Sequence, residues 1–335
     1  MSLKTKYLGF NLENPLVPSA SPLSRDIDTA MQLEDAGAPA LVMYSLFEEE
    51  IYHEDGELEH YLSHGSDSFS EALSYFPDSH DFTSGPDEYL EQIRRLKEKL
   101  DIPIIASLNG ISLGGWIEKA KLIENAGADA LELNIYYLPT DAKQSGTDVK
   151  NIYIDILKSV KEKTSIPIAM KIGNTFSALP SFAQRIQEAG AGALVLFNRF
   201  YQPDINLDKL EVTPSISLSN SDEIRLPLRW IAVLKNQLQL SLGATSGVHT
   251  AEDVLKLTMA GADVTFMTSA LLKHGPKHIT KITQDITRWL EDHEYDSLEQ
   301  MRGSMSMKNV KDPGAFMRAN YIKTLREYQH NKKYV

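Results

Sequence analysis

Cysteine is absent from the 335 residues. Disulfides, thiolate zinc sites, a cysteine nucleophile and an iron–sulfur cluster held by this chain are thereby excluded, so any such cluster has to come from a partner subunit. Long apolar runs are missing too. Nowhere do about 18 hydrophobic residues follow one another, so no membrane contact is expected. The opening residues, MSLKTKYLGF, contain no apolar stretch of the secretory type, and the expectation is a soluble, cytoplasmic protein. Clustered positive charge is also lacking. Lys and Arg number 34 against 46 Asp and Glu, for a net charge of −12. No basic run exceeds KEK or NKK, which argues against a nucleic-acid partner. The acidic balance bears on solubility and names no partner.

What is present is a repeat. EDAGAPALVMYS, ENAGADALELN, EAGAGALVLFN and MAGADVTFMTS each run from a helix end through a glycine into an apolar strand. Between them lies a second phrase, KEKLDIPIIASLNG and KEKTSIPIAMKIG, and more loosely LKNQLQLSLGA. Gly37, Gly127, Gly190 and Gly261 fall where a helix end calls for a positive φ. The strands are continuously apolar, as they are when both faces are covered. With the early NPLVPSA, eight strands are expected near 15–20, 40–45, 102–108, 130–135, 166–172, 193–198, 238–243 and 263–268. Helical patterns separate nearly all of them. Such a series closes into an eightfold β/α barrel, a single domain over 1–335. A doubly wound open sheet is the alternative, but it leaves the even spacing of the two phrases unexplained.

Two stretches break the rhythm, residues 46–86 after strand 2 and 199–226 after strand 6, and both are read as insertions over the face where barrel enzymes keep their sites. His53, His60, His64 and His80 in the first show no metal-binding spacing and are read as solvated, so no metal is expected. Residues 273–330 read as a helical C-terminal segment.

Function in a barrel is read from the C-terminal ends of its strands. These carry, in order, Ala20 and Ser21, Ser45, Ser107 with Asn109, Asn134, Lys171, Asn198, the stretch 243–247, and Thr268 with Ser269. No inward pair of carboxylates favours glycosidase chemistry. Several amides suit a flat ring whose rim alternates donors and acceptors, because each amide offers both. One lysine suits a ring that becomes anionic on reduction. GATSGVHT and TSALL, each opening a helix, suit a phosphate. An asparagine at a strand end can equally be a turn former, and Lys171 could run out to solvent.

These tips resemble the dihydroorotate dehydrogenases and the pyrimidine-reducing domain of dihydropyrimidine dehydrogenase. The resemblance runs from NLENPLVPSASP to VTFMTSALL and is most specific in IPIIASLNG followed by GWIEKAKLIENAGADALELN. It implies FMN on the barrel top and hydride transfer between a dihydropyrimidine, most simply dihydroorotate, and flavin N5, in a protein expected to form a homodimer. It further implies that Ala20, Ser21 and Ser45 line the flavin and that Asn109, Asn134 and Asn198 bind flavin or substrate. Lys171 would sit at the flavin N1/O2 edge, and Gly247, Val248, Thr268 and Ser269 would hold the phosphate. The sequence also departs from the family. The loop after Asn134 normally offers a Cys or Ser base, but here it reads NIYYLPTD, which puts Tyr137 in that place and removes an asparagine that binds substrate. Tyr44 replaces a strand-2 lysine, Ser246 one glycine and Thr268 another. A phenol of pKa about 10 costs roughly 4 kcal/mol to ionise at pH 7. Tyr136 and Tyr137 are therefore either a base with its neighbour or an aromatic wall, and the chain is either a dehydrogenase of this type or a flavin-binding relative with altered substrate or no turnover.

Overall fold

The computed structural model describes residues 1–54, 85–199, 203–213 and 217–330. Its strands, in chain order, are β1 (Thr5–Tyr7), β2 (Phe10–Leu12), β3 (Leu16–Pro18), β4 (Leu41–Phe47), β5 (Ile104–Asn109), β6 (Ala130–Asn134), β7 (Ile168–Ile172), β8 (Ala193–Leu196), β9 (Asp204–Asn206), β10 (Glu211–Thr213), β11 (Ser241–Thr245) and β12 (Val264–Met267). Eight of them form one parallel sheet in the order β3-β12-β11-β8-β7-β6-β5-β4. β3 packs against β4, so the sheet curls into a nearly closed barrel ringed by helices, the eightfold β/α architecture that the repeat predicts.

The two recurring phrases mark the junctions. At Gly127 the helix Lys119–Ala126 ends with φ +105°, and the freed amide returns to Ile123 and Glu124. At Gly261, φ is +126° and a Cβ would come within 2.7 Å of Lys235 Cβ, so any larger residue is strained in both backbone and space. The outer helices bury one stripe each. Ile279, Ile282, Ile286 and Leu290 face inward from His278–Asp292, each contributing about 1.5–3 kcal/mol by leaving water.

Seven strands appear where the repeat places them, within one or two residues at their ends, and one differs more: β11 starts at Ser241 and not near 238. This shift has a local cause: the Gln187 side-chain oxygen accepts from Gln239 N and Leu240 N, which takes those amides out of the ladder. Within 199–226, β9 and β10 form an antiparallel hairpin, followed by helix Arg225–Leu234. Beyond the barrel run the helices His278–Asp292, Leu298–Met301 and Ala319–His330. Of the four histidines in the first insertion, His60, His64 and His80 lie outside the described residues, and His53 falls in the short helix Glu48–Glu54. Among the described residues, no helix is long and apolar enough to cross a membrane.

The N-terminal hairpin β1–β2 has no counterpart in the sequence reading. It turns at Leu8 and Gly9, with φ of 51° and 89°. Tyr7, Leu8 and Leu12 close the lower mouth, packed on Val42, Ile105, Ala130, Ala169, Ala193 and Phe266. The Tyr7 ring meets Phe266 edge-on at 5.8 Å. Its hydroxyl has no hydrogen-bond partner among the described residues. Burial first, then the charges of Glu132 and Asp263, push the Tyr7 pKa well above the usual phenol value.

Candidate active site

Alternation along each strand decides which side chains enter the barrel. Ala130, Glu132 and Asn134 form the inward file of β6, and Ala169 and Lys171 that of β7. Register ties these files into rows. Asn109 pairs with Asn134, Asn134 with Lys171, Lys171 with Val195, and Val195 with Gly243. One row down run Ser45, Ser107, Glu132, Ala169 and Ala193. The strands are staggered, so each row climbs from small apolar residues at the floor to polar ones at the rim.

Ser45 joins this interior through a register shift in β4 between Val42 and Ser45. The Tyr89 hydroxyl fills the break, accepting from Ser107 N at 2.8 Å and donating to Ser107 O at 3.2 Å. Full burial drives the Tyr89 pKa far up, so it serves as a neutral hydrogen-bonding group. Above it, Ser45 Oγ and Ser107 Oγ lie 2.8 Å apart. Tyr44 points outward, with its ring under the Arg25 guanidinium at 3.9 Å and edge-on to Tyr89. The residue standing in the lysine's place thus belongs to the outer layer.

Lys171 is buried inside the barrel, and its ammonium donates to Glu132 Oε1 at 3.1 Å. Glu132 is only 1% exposed, and its Oε2 has no partner among the described residues. Asn198 Nδ2 donates to Asn134 Oδ1 at 2.5 Å, which joins two of the amides. The Glu48 carboxylate holds the loop after Asn109 by accepting from Ile111 N at 2.5 Å and Ser112 N at 3.1 Å.

Over these residues opens a cavity of about 1030 Å³, bordered by Asn109, Asn134 and Asn198, and also by Phe47, Glu49, Tyr136, Asn174, Arg199, Thr245 and Ser246. Its volume lies at the upper end of small-ligand sites, enough for a cofactor and a substrate together. Of the residues picked out in the sequence, the three asparagines border it. Lys171 and Ser45 lie beneath, Ala20 is half-buried beside the inner core, and Ser21 is buried. Tyr136 borders the cavity; Tyr137 does not, packing on the outer core and donating from its hydroxyl to Gln144 Oε1 at 2.8 Å.

The phosphate-type residues gather at one edge. Gly247 has φ +80°, and a Cβ there would lie 2.6 Å from Ile224 N and 2.9 Å from Asn220 O. Only glycine tolerates both. Ser246 shares the positive φ, at 76°, and Val248 turns into the core. Ser269 Oγ accepts from Ser219 N at 3.1 Å, while Ser219 Oγ lies 3.0 Å from His249 Nε2. Thr268 and Ser269 are half-buried. Three loops, around 219, 247 and 268, therefore meet.

Sequence reasoning missed Glu132, Glu49, Asn174 and Ser219. Glu132 was findable, since an acid in a run as apolar as ALELN requires a buried cation and Lys171 is the one lysine at a strand tip. Asn174 and Ser219 stand in loops, where spacing carries no such signal.

An eightfold β/α barrel with its polar residues gathered at the strand tips is the architecture of a barrel enzyme. Residues 82–290 match the family model described as dihydroorotate dehydrogenase, and the chain belongs to that family. Among its relatives, the catalytic subunit of dihydroorotate dehydrogenase B (NAD(+)) of Thermoplasma acidophilum is 23% identical over 90% of this chain and 98% of its own length. The NAD-dependent dihydropyrimidine dehydrogenase subunit PreA of Escherichia coli K12 is 22% identical over 90% of this chain and 76% of its own length. The dihydroorotate dehydrogenase B catalytic subunit of Pyrococcus abyssi is 28% identical over 65% of this chain and 74% of its own length. All three relatives carry the names of dehydrogenases, oxidoreductases acting on a CH–CH bond.

Proposed function

We propose that this chain is an FMN-dependent dehydrogenase that moves a hydride between a dihydropyrimidine ring and flavin N5. The observation that carries the reading is the triad Asn109, Asn134 and Asn198 around one cavity with Lys171 buried beneath it. The residues fit a flavin. Three carboxamides match a ring edge of alternating donors and acceptors. Lys171 has three N–H donors, and Glu132 occupies one of them among the described residues. Bound FMN would supply a two-electron acceptor at a fixed place in the site.

The chain's own residues then have separate tasks. Lys171, held by Glu132, would place positive charge beside the flavin's pyrimidine edge. Ala20, Ser21 and Ser45 would line the flavin, and Gly247, Val248, Thr268 and Ser269, now with Ser219, would hold its phosphate. Asn134 and Asn198 orient the ring. The proton leaving the ring carbon passes to the loop after β6. Because Tyr136 borders the cavity and Tyr137 does not, we give the proton-accepting position to Tyr136 and a packing role to Tyr137. We further place the protein in the cytoplasm as a homodimer. Ile205, Leu207, Leu210 and Val212, all exposed on the β9–β10 hairpin, support a second copy covering them.

The test has two stages. Denaturing the purified protein and separating the released chromophore should give FMN. Anaerobic mixing with dihydroorotate or dihydrouracil should then bleach the flavin band. A protein that takes up no flavin even on reconstitution would sink the reading.

A further inference from the structure

We propose that Glu49 sets the charge of the ring this site accepts, so that the cavity takes an uncharged pyrimidine and turns away one bearing a ring carboxylate. The inference rests on the dihydropyrimidine reading above and narrows it.

Charge accounting at the cavity carries the proposal. Its wall holds three carboxylates, Glu49, Asp222 and Glu223, and two guanidinium groups, Arg199 and Arg225. Arg199 is paired with Glu223 at 3.2 Å and also donates to Ser217 O. Arg225 pairs with Asp222 at 2.8 Å. Lys171 below is held by Glu132 at 3.1 Å. Each cation of the site thus has its own acid, and among the described residues Glu49 is the carboxylate left over.

Its neighbours show the contrast. Glu48 is spent on the amides of Ile111 and Ser112, and Glu50 accepts from Phe47 N at 2.9 Å. Glu49, between them, borders the cavity. Burial, followed by the charges of Glu48 and Glu50, raises its pKa, as expected of a carboxylate lacking a counter-cation. In sequence, residues 55–84, 200–202 and 214–216 contain neither lysine nor arginine. A ring carboxylate would therefore bring a second unmatched negative charge into a partly desolvated space.

The experiment is titration calorimetry on the protein with its cofactor in place, using orotate and uracil as probes, for the parent, Glu49→Gln and Glu49→Ala. The parent should bind uracil at least about tenfold more tightly than orotate, and both variants should gain about tenfold for orotate while uracil stays within about threefold. Orotate binding that is the same in all three proteins, or a parent that prefers orotate, would overturn the inference while the dehydrogenase reading stands. If neither ring binds any of the three, the reading under Proposed function fails and this inference goes with it.

Discussion

At the floor of the barrel, Ala130, Ala169 and Ala193 meet Tyr7 and Leu12 in a mostly apolar packing, closed from below by a hairpin. Two to four residues further along the same strands, Glu132, Asn134 and Lys171 replace them with an ion pair and a linked amide. Floor and rim share strands, register and burial, so the difference is one of chemistry alone. Dispersion and shape hold the floor, where a misfit costs packing. The upper interior is held by satisfied polar groups, where removing one partner strands another in low dielectric.

The sharpest test of that contrast is Lys171→Ala. It leaves the Glu132 carboxylate buried without its cation, and denaturant unfolding should show a loss of about 3–5 kcal/mol. Replacing both, Lys171→Met with Glu132→Gln, should restore most of that loss. A single variant as stable as the parent would mean that Glu132 is not held by Lys171. Next in size, Tyr136→Phe should leave flavin content intact while slowing proton removal from the ring about 10²-fold in stopped-flow reduction. Tyr137→Phe should cost only about 1 kcal/mol of stability through its lost bond to Gln144 and leave the reduction rate near that of the parent. Reversed phenotypes would return the base role to Tyr137. At the floor, Gly243→Ala would set a Cβ 2.6 Å from the Phe266 ring, which is pinned against Tyr7. Overpacking should lower stability by about 1–3 kcal/mol in the same unfolding assay, with the flavin spectrum unchanged.

The barrel was legible because its signals are local and repeated: a glycine closing a helix, then a doubly buried strand. The asparagines were legible because a polar residue ending an apolar run has few other reasons to be there. The hairpin that plugs the floor was not, because Leu8–Gly9 is a weak turn signal and its strands are only three residues long. The direction of the two tyrosines was not legible either. It depends on the path of the loop that leads to the Ser145 cap of helix Gly146–Lys163, and spacing along the chain does not report that path.

One contact at the floor bears on how this chain comes into being. Arg302 Nη1 donates to Thr5 Oγ1 at 2.7 Å and lies 2.9 Å from Asp263 Oδ1, while Asp263 also caps the start of β11 through Leu242 N. Residues 5 and 302 are separated by 297 positions, so this lock cannot engage until residue 302 has left the ribosome. Until then the nascent N-terminal hairpin, with Tyr7, Leu8 and Leu12, has no finished barrel mouth to fill. A chain broken off before Arg302 would lack this lock and leave those side chains exposed to the encounters that chaperones exist to prevent.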